Sequence, residues 1–175
     1  AVNYQETRTN SVLYSQDTTQ AEQWTKTNTA IDSTLYEAPD NSTTANAIKS
    51  NSTGTKVYRI LQGSLSVTTG KTYTLSVHVK KGTLGFARVQ FNDSSIDYSA
   101  DFNLNTAAVT NTSNTIRTQV DSMDDDWYRC SITFQAQNTT SSGVAYVFAQ
   151  SAAGSSTPNV AVSGVILLYV WGFQL

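Results

Sequence analysis

The chain has 175 residues, of which 39% are hydrophobic and 14% charged, with a net charge of −2 and a pI near 5.2. That balance argues against nucleic acid or an anionic membrane as partner, since both need a basic surface. Nine Tyr, six Phe and three Trp exclude the disorder that a Ser-, Thr- and Asn-rich composition otherwise suggests, because aromatic side chains supply burial that a disordered chain lacks.

Ala1 is what either Met removal or cleavage of a longer precursor leaves, and residues 1–10 read as an extended N-terminal arm. A short turn of helix is expected near Ala21 to Trp24, and Ala38-Pro39-Asp40-Asn41 is a turn in which Pro presets φ and Asp and Asn cap. From there the dominant period is two. Tyr58, Ile60 and Gln62 alternate with Val57, Arg59 and Leu61. Tyr73, Leu75, Val77 and Val79 alternate with Thr74, Ser76, His78 and Lys80. Ala87, Val89 and Phe91 alternate with Phe86, Arg88 and Gln90. Tyr128, Cys130, Ile132, Phe134 and Ala136 do so with Arg129, Ser131, Thr133 and Gln135. Alternation sends successive side chains to opposite faces of a sheet. Asn- and Gly-containing breaks such as Thr68 to Lys71, Lys81 to Gly85 and Asn92 to Ser95 separate the runs. This pattern predicts an all-β fold over residues 1–175, a two-sheet antiparallel β-sandwich of jelly-roll type.

The closing segment, VAVSGVILLYVWGFQL from Val160 to Leu175, loses the alternation. A near-continuous apolar strand is one covered on both faces. Two covers are open: neighbouring loops folded over it, or a second subunit with Val165, Leu167 and Tyr169 at the interface. Trp127 and Tyr128 follow an acidic turn, Asp124-Asp125-Asp126, and are expected to plug the end of the sandwich.

Catalytic chemistry finds little to work with. One His and one Cys give neither a His-rich metal set nor a Cys-His pair, and no glycine loop cradles a phosphate. Cys130, in phase with Ile132 and Phe134, reads as a small buried hydrophobe. The carboxylates Asp93, Asp97 and Asp101 fall in loop and strand, with no sign of an opposed pair. The expectation is a protein without catalytic activity, without metal ligands and with no cofactor. For binding, the polar faces of two neighbouring strands, His78, Lys80, Arg88 and Gln90, with Phe86 in phase and Asn92, Asp97 and Tyr98 in the loop beyond, form the candidate glycan groove. Sugars are held by an aromatic ring against C–H groups and by amide, carboxylate or guanidinium groups on hydroxyls.

Six segments stand together in order: RTNSVLYSQD (Arg8 to Asp17), QWTKTN (Gln23 to Asn28), EAPDNSTTANAI (Glu37 to Ile48), YTLSVHVKKG (Tyr73 to Gly82), DDDWYRCSITF (Asp124 to Phe134) and YVWGFQL (Tyr169 to Leu175). In order and spacing they resemble the carbohydrate-binding-module-like jelly-roll domains of tailed-phage virion proteins, of tail-fibre and head-decoration type. The resemblance implies a structural protein on the virion surface, a homo-oligomer (commonly a trimer) in contact with other virion proteins, with glycan binding as a weaker implication. The chain's shortness favours capsid decoration or a head fibre; a tail-fibre adhesin and an accessory domain of a polysaccharide-degrading enzyme are the alternatives. Related modules often hold a structural calcium with early-chain carboxylates. Here Gln16 stands where the family has Glu before Asp17, which weakens that implication.

Overall fold

The computed structural model describes residues 9–175; residues 1–8, most of the expected N-terminal arm, lie outside the described residues. The strands in chain order are β1 (Trp24–Thr27), β2 (Thr29–Ile31), β3 (Tyr36–Glu37), β4 (Thr43–Ser50), β5 (Gly54–Thr55), β6 (Tyr58–Val67), β7 (Thr72–Lys81) and β8 (Phe86–Asn92). They continue with β9 (Asp97–Asn103), β10 (Ala108–Ser113), β11 (Arg117–Ser122), β12 (Trp127–Gln135), β13 (Thr140–Gln150), β14 (Asn159–Val160) and β15 (Ile166–Gln174). One sheet has six strands in the order β1-β6-β13-β8-β9-β10, and the other seven, β11-β12-β7-β15-β4-β2 with β3 added on β4. The fold is therefore the two-sheet antiparallel jelly-roll sandwich that the alternation predicts. Where a turn of helix was expected, Gln23 and Trp24 donate back to the Gln20 carbonyl in a single turn leading into β1.

Period-two strands bury one face each. Leu75, Val77 and Val79 of β7 and Cys130, Ile132 and Phe134 of β12 meet Ala87, Val89 and Phe91 of β8 and Tyr58 and Ile60 of β6 in one core. Each large apolar side chain so buried stabilises the fold by roughly 1.5–3 kcal/mol. Phe134 stacks between the sheets on Tyr98 and Phe91, with ring centroids 4.4 and 4.9 Å away, and Trp24 packs on Phe173 at 4.5 Å. Cys130 lies in this core as expected, and burial pushes its thiol well above the ordinary range.

Asp93, fully buried, ties the β8–β9 turn to the β12–β13 loop. Its Oδ1 accepts from the Ser95 and Ile96 amides, and its Oδ2 from the Tyr98 hydroxyl and the Gln137 and Asn138 amides. Burial pushes this carboxyl up, but the hydrogen bonds outweigh it and hold the group below its usual value. The Tyr98 phenol is pushed up to about 12 by burial and by the carboxylate it donates to.

The lost alternation of the closing strand has a local cause. Along β15 the register shifts between Ile166 and Leu168 against β4, and again between Trp171 and Gln174 against β7. Gly172, at φ +63°, sits in the second irregularity. Bulges move consecutive residues onto one face, so Leu167 and Leu168 both enter the core. The strand's other face is covered from within the chain. Tyr169 and Trp171 join Tyr36, Ala38, Ala45 and Trp127 in a second apolar cluster under the β3 segment. Tyr36 meets Tyr169 edge-on at 4.9 Å, and the Trp171 Nε1 donates to the Thr44 hydroxyl at 2.9 Å. The Ala38–Asn41 turn closes as read from sequence: the Asn41 amide donates to the Ala38 carbonyl, and Asp40 accepts from the Ser42 amide.

Two expectations change here. Trp127 and Tyr128 do not plug the end of the sandwich as a pair: Trp127 is buried in this outer cluster, while the half-buried Tyr128 packs against the main core. Leu167 is 0% exposed in the core, so it is not available to a second subunit. Val165 and Tyr169 are half-buried, Tyr169 against Tyr36. Of the two open covers for this strand, the segment of β3 and its turn supplies one.

Candidate functional site

The residues chosen for a groove divide between the two sheets. The chain crosses the sandwich between β7 and β8, so His78 and Lys80 stand on the seven-stranded sheet and Phe86, Arg88 and Gln90 on the six-stranded one. The crossing is tight at Gly82, where an added Cβ would lie 2.6 Å from the Ile166 carbonyl oxygen and 2.8 Å from that of Leu167. Tyr98 points into the core and is fully buried, and Asp97 is exposed and accepts from the Asn92 amide at 2.8 Å. These residues form no single groove.

On the outer face of the six-stranded sheet the polar groups satisfy one another. Arg88 grips Asp101 in a fork, Nε to Oδ1 at 2.7 Å and Nη2 to Oδ2 at 3.1 Å. The same Oδ2 accepts from Asn111 and from the Gly154 amide of the loop after β13. Burial raises the Asp101 carboxyl, but Arg88 and the other donors bring it below its usual value. Arg59 lies over Tyr146 and Phe148, 5.1 and 5.4 Å from their ring centroids. The sequence shows Asp101 only as a carboxylate in loop and strand; its pairing with Arg88 emerges from the β8–β9 register, where the two stand opposite.

The outer face of the seven-stranded sheet is arranged differently. Register places Thr133 beside Thr74, Ser131 beside Ser76, Arg129 beside His78 and Trp127 beside Lys80. Trp171 adjoins His78 and Tyr169 adjoins Lys80 on the other side. The result is a strip along β7, spanning about 26 Å from Thr72 to Lys80 at the usual strand rise. A cleft of about 700 Å³ opens at one end, lined by Thr72, Thr74, Ser76, Arg129 and Gln174, with residues 9–11 as its far wall. A smaller one of about 200 Å³ lies at the other, between Tyr36, Glu37, Lys80, Asp125, Trp127 and Tyr169. His78 stands between them, its ring edge-on to Trp171 at 5.2 Å. Burial, with the Arg129 charge nearby, holds this imidazole below its ordinary value and favours the neutral form.

The far wall of the large cleft is fixed. The Asn10 amide donates to the Phe173 carbonyl, while its Oδ1 accepts from the Val12 and Leu175 amides. The Ser11 amide donates to the Leu175 carbonyl. Among the described residues no three His, Cys, Asp or Glu side chains come together as a metal site. Asp17, the carboxylate left in the opening motif, is engaged by Thr19 and Gln20.

The sequence matches no protein-family model and no curated protein. Among solved structures, the chain is similar to the CBM22-1–GH10 modules of the Clostridium thermocellum xylanase 10B, in a complex with xylohexaose, at 11% identity and a TM-score of 0.41 over 87% of this chain. It spans 25% of the length of that protein. It is also similar to TmCBM27, a carbohydrate-binding module described for specific mannan recognition, at 10% identity and a TM-score of 0.41, covering 92% of this chain and 94% of that one.

Proposed function

We propose that this chain is a non-catalytic glycan-binding module carried on a phage virion surface, as a capsid decoration or head-fibre protein, and that it binds along the outer face of the seven-stranded sheet. The observation that carries the binding is the strip along β7: exposed Thr72 and Thr74, half-buried Thr133 and Arg129, a cleft at each end, and the half-buried rings of Tyr36 and Tyr169 at one of them. Such a strip offers a linear chain of sugars hydrogen-bond donors and acceptors along its length and ring faces at its end. The virion setting rests on the six ordered sequence segments. In that setting the protein acts as a homo-oligomer, most simply a trimer, and repeated display multiplies a weak affinity.

The test is retention of the chain in gels containing soluble polysaccharides. Thr74→Trp, at an exposed position of the strip, should abolish retention by steric block, whereas Gln90→Trp on the opposite sheet should leave it unchanged. Retention by no polysaccharide, or loss with Gln90→Trp alone, would contradict the assignment.

A further inference from the structure

We propose that the larger cleft takes a carboxylate-bearing sugar, a uronic acid within a glycan, and that Arg129 binds its carboxylate; this rests on the glycan-binding reading of the same face. Among the described residues, Arg129 is the one charged side chain lining the cleft, set among hydroxyls, the Gln174 amide and Tyr73. No described Asp or Glu lines it. The guanidinium donates from Nη2 to the Ser76 hydroxyl at 3.1 Å, and among the described residues no carboxylate lies within ion-pair distance of it. Asp121, opposite Arg129 in the β11–β12 ladder, accepts from the Gln119 amide instead. The remaining N–H groups form a planar fork that matches a carboxylate.

The cleft is also poorly suited to a neutral sugar stacked on a ring. Tyr73, its one aromatic residue among those described, stacks on Phe134 at 6.0 Å, and its hydroxyl accepts from the Thr68 amide. Recognition there falls to hydrogen bonds and charge. Because the Asn10 bonds hold the far wall in place, the cleft is set before a ligand arrives.

The experiment is affinity electrophoresis of the whole chain in polygalacturonate, in its methyl ester, in dextran sulfate and in neutral mannan and xylan. Polygalacturonate should retard the protein most, the methyl ester should not, and rising salt should weaken the effect. Arg129→Gln should weaken polygalacturonate binding by about tenfold or more, the loss expected of a charge-assisted contact. Arg129→Lys should be intermediate, since it keeps the charge without the fork. Equal retardation by the ester, retardation by dextran sulfate alone, or an unchanged Arg129→Gln overturns the proposal. Binding of neutral glycans without uronate preference overturns it while leaving the glycan reading intact, and retention by none overturns both. The ester comparison uses the unaltered chain, so the test survives a variant that fails to fold.

Discussion

The two outer faces of the sandwich treat their arginines in opposite ways. On the six-stranded sheet, Arg88 meets a buried carboxylate in a fork, and Asn111 and the Gly154 amide complete the set. On the seven-stranded sheet, Arg129 has a serine hydroxyl and, among the described residues, no carboxylate. A charge satisfied from within the chain holds the chain together. One left with spare donors beside a cleft is available to something else. The difference separates a structural residue from a binding residue where composition and strand phase make them look alike.

The largest effect should come from the structural side. Asp101→Ala leaves a mostly buried guanidinium and two other donors without their acceptor, and should cost about 3–5 kcal/mol in chemical denaturation. Arg129→Gln should change stability by no more than about 0.5 kcal/mol; comparable losses for the two would erase the contrast. The same carboxylate gives the pH dependence a sign. Its folded value lies below the reference of 3.8, so its stabilisation is full above that reference and is lost as pH falls through the lower folded value. Asp93, held down in the same way, adds to this acid limb. Asp101→Asn should therefore flatten the acid limb relative to the unaltered chain. A next, somewhat smaller loss is expected at Trp127→Ala, about 3 kcal/mol by the usual range for large-to-small changes at buried sites. A near-neutral result would mean that the cluster with Tyr36 and Tyr169 does not hold the β3 segment down.

Much of the fold was legible in the sequence because period two is a local signal: Leu75 to Val79 and Cys130 to Phe134 face the core as their phase requires. Which sheet each strand joins was not legible. The runs on either side of the Lys81 to Gly85 break read as neighbouring strands, yet the backbone passes under the Ile166 and Leu167 carbonyls at Gly82 and crosses to the other sheet. That one crossing separates His78 and Lys80 from Arg88 and Gln90. The closing strand misled for another reason. Two register shifts and the left-handed Gly172 break its phase, and its outer cover comes from β3, more than a hundred residues earlier in the chain. Arg129 was visible only as a polar residue in alternation. That it meets no carboxylate among the described residues follows from its neighbours on either side of β12, where Asp121 takes the Gln119 amide and Ser76 supplies only a hydroxyl.

On the reading proposed above, a ligand meets this protein on the outer face of the seven-stranded sheet, at Arg129. The most direct measurement follows the guanidinium Nε–Hε resonances of Arg59, Arg88, Arg117 and Arg129 in the ¹⁵N-labelled chain while oligogalacturonate is titrated in. The Arg129 resonance should shift in a saturable way and the Arg88 resonance should stay where it is. A saturable shift at Arg88 or Arg59 with Arg129 unmoved would place the ligand on the other sheet and contradict the account.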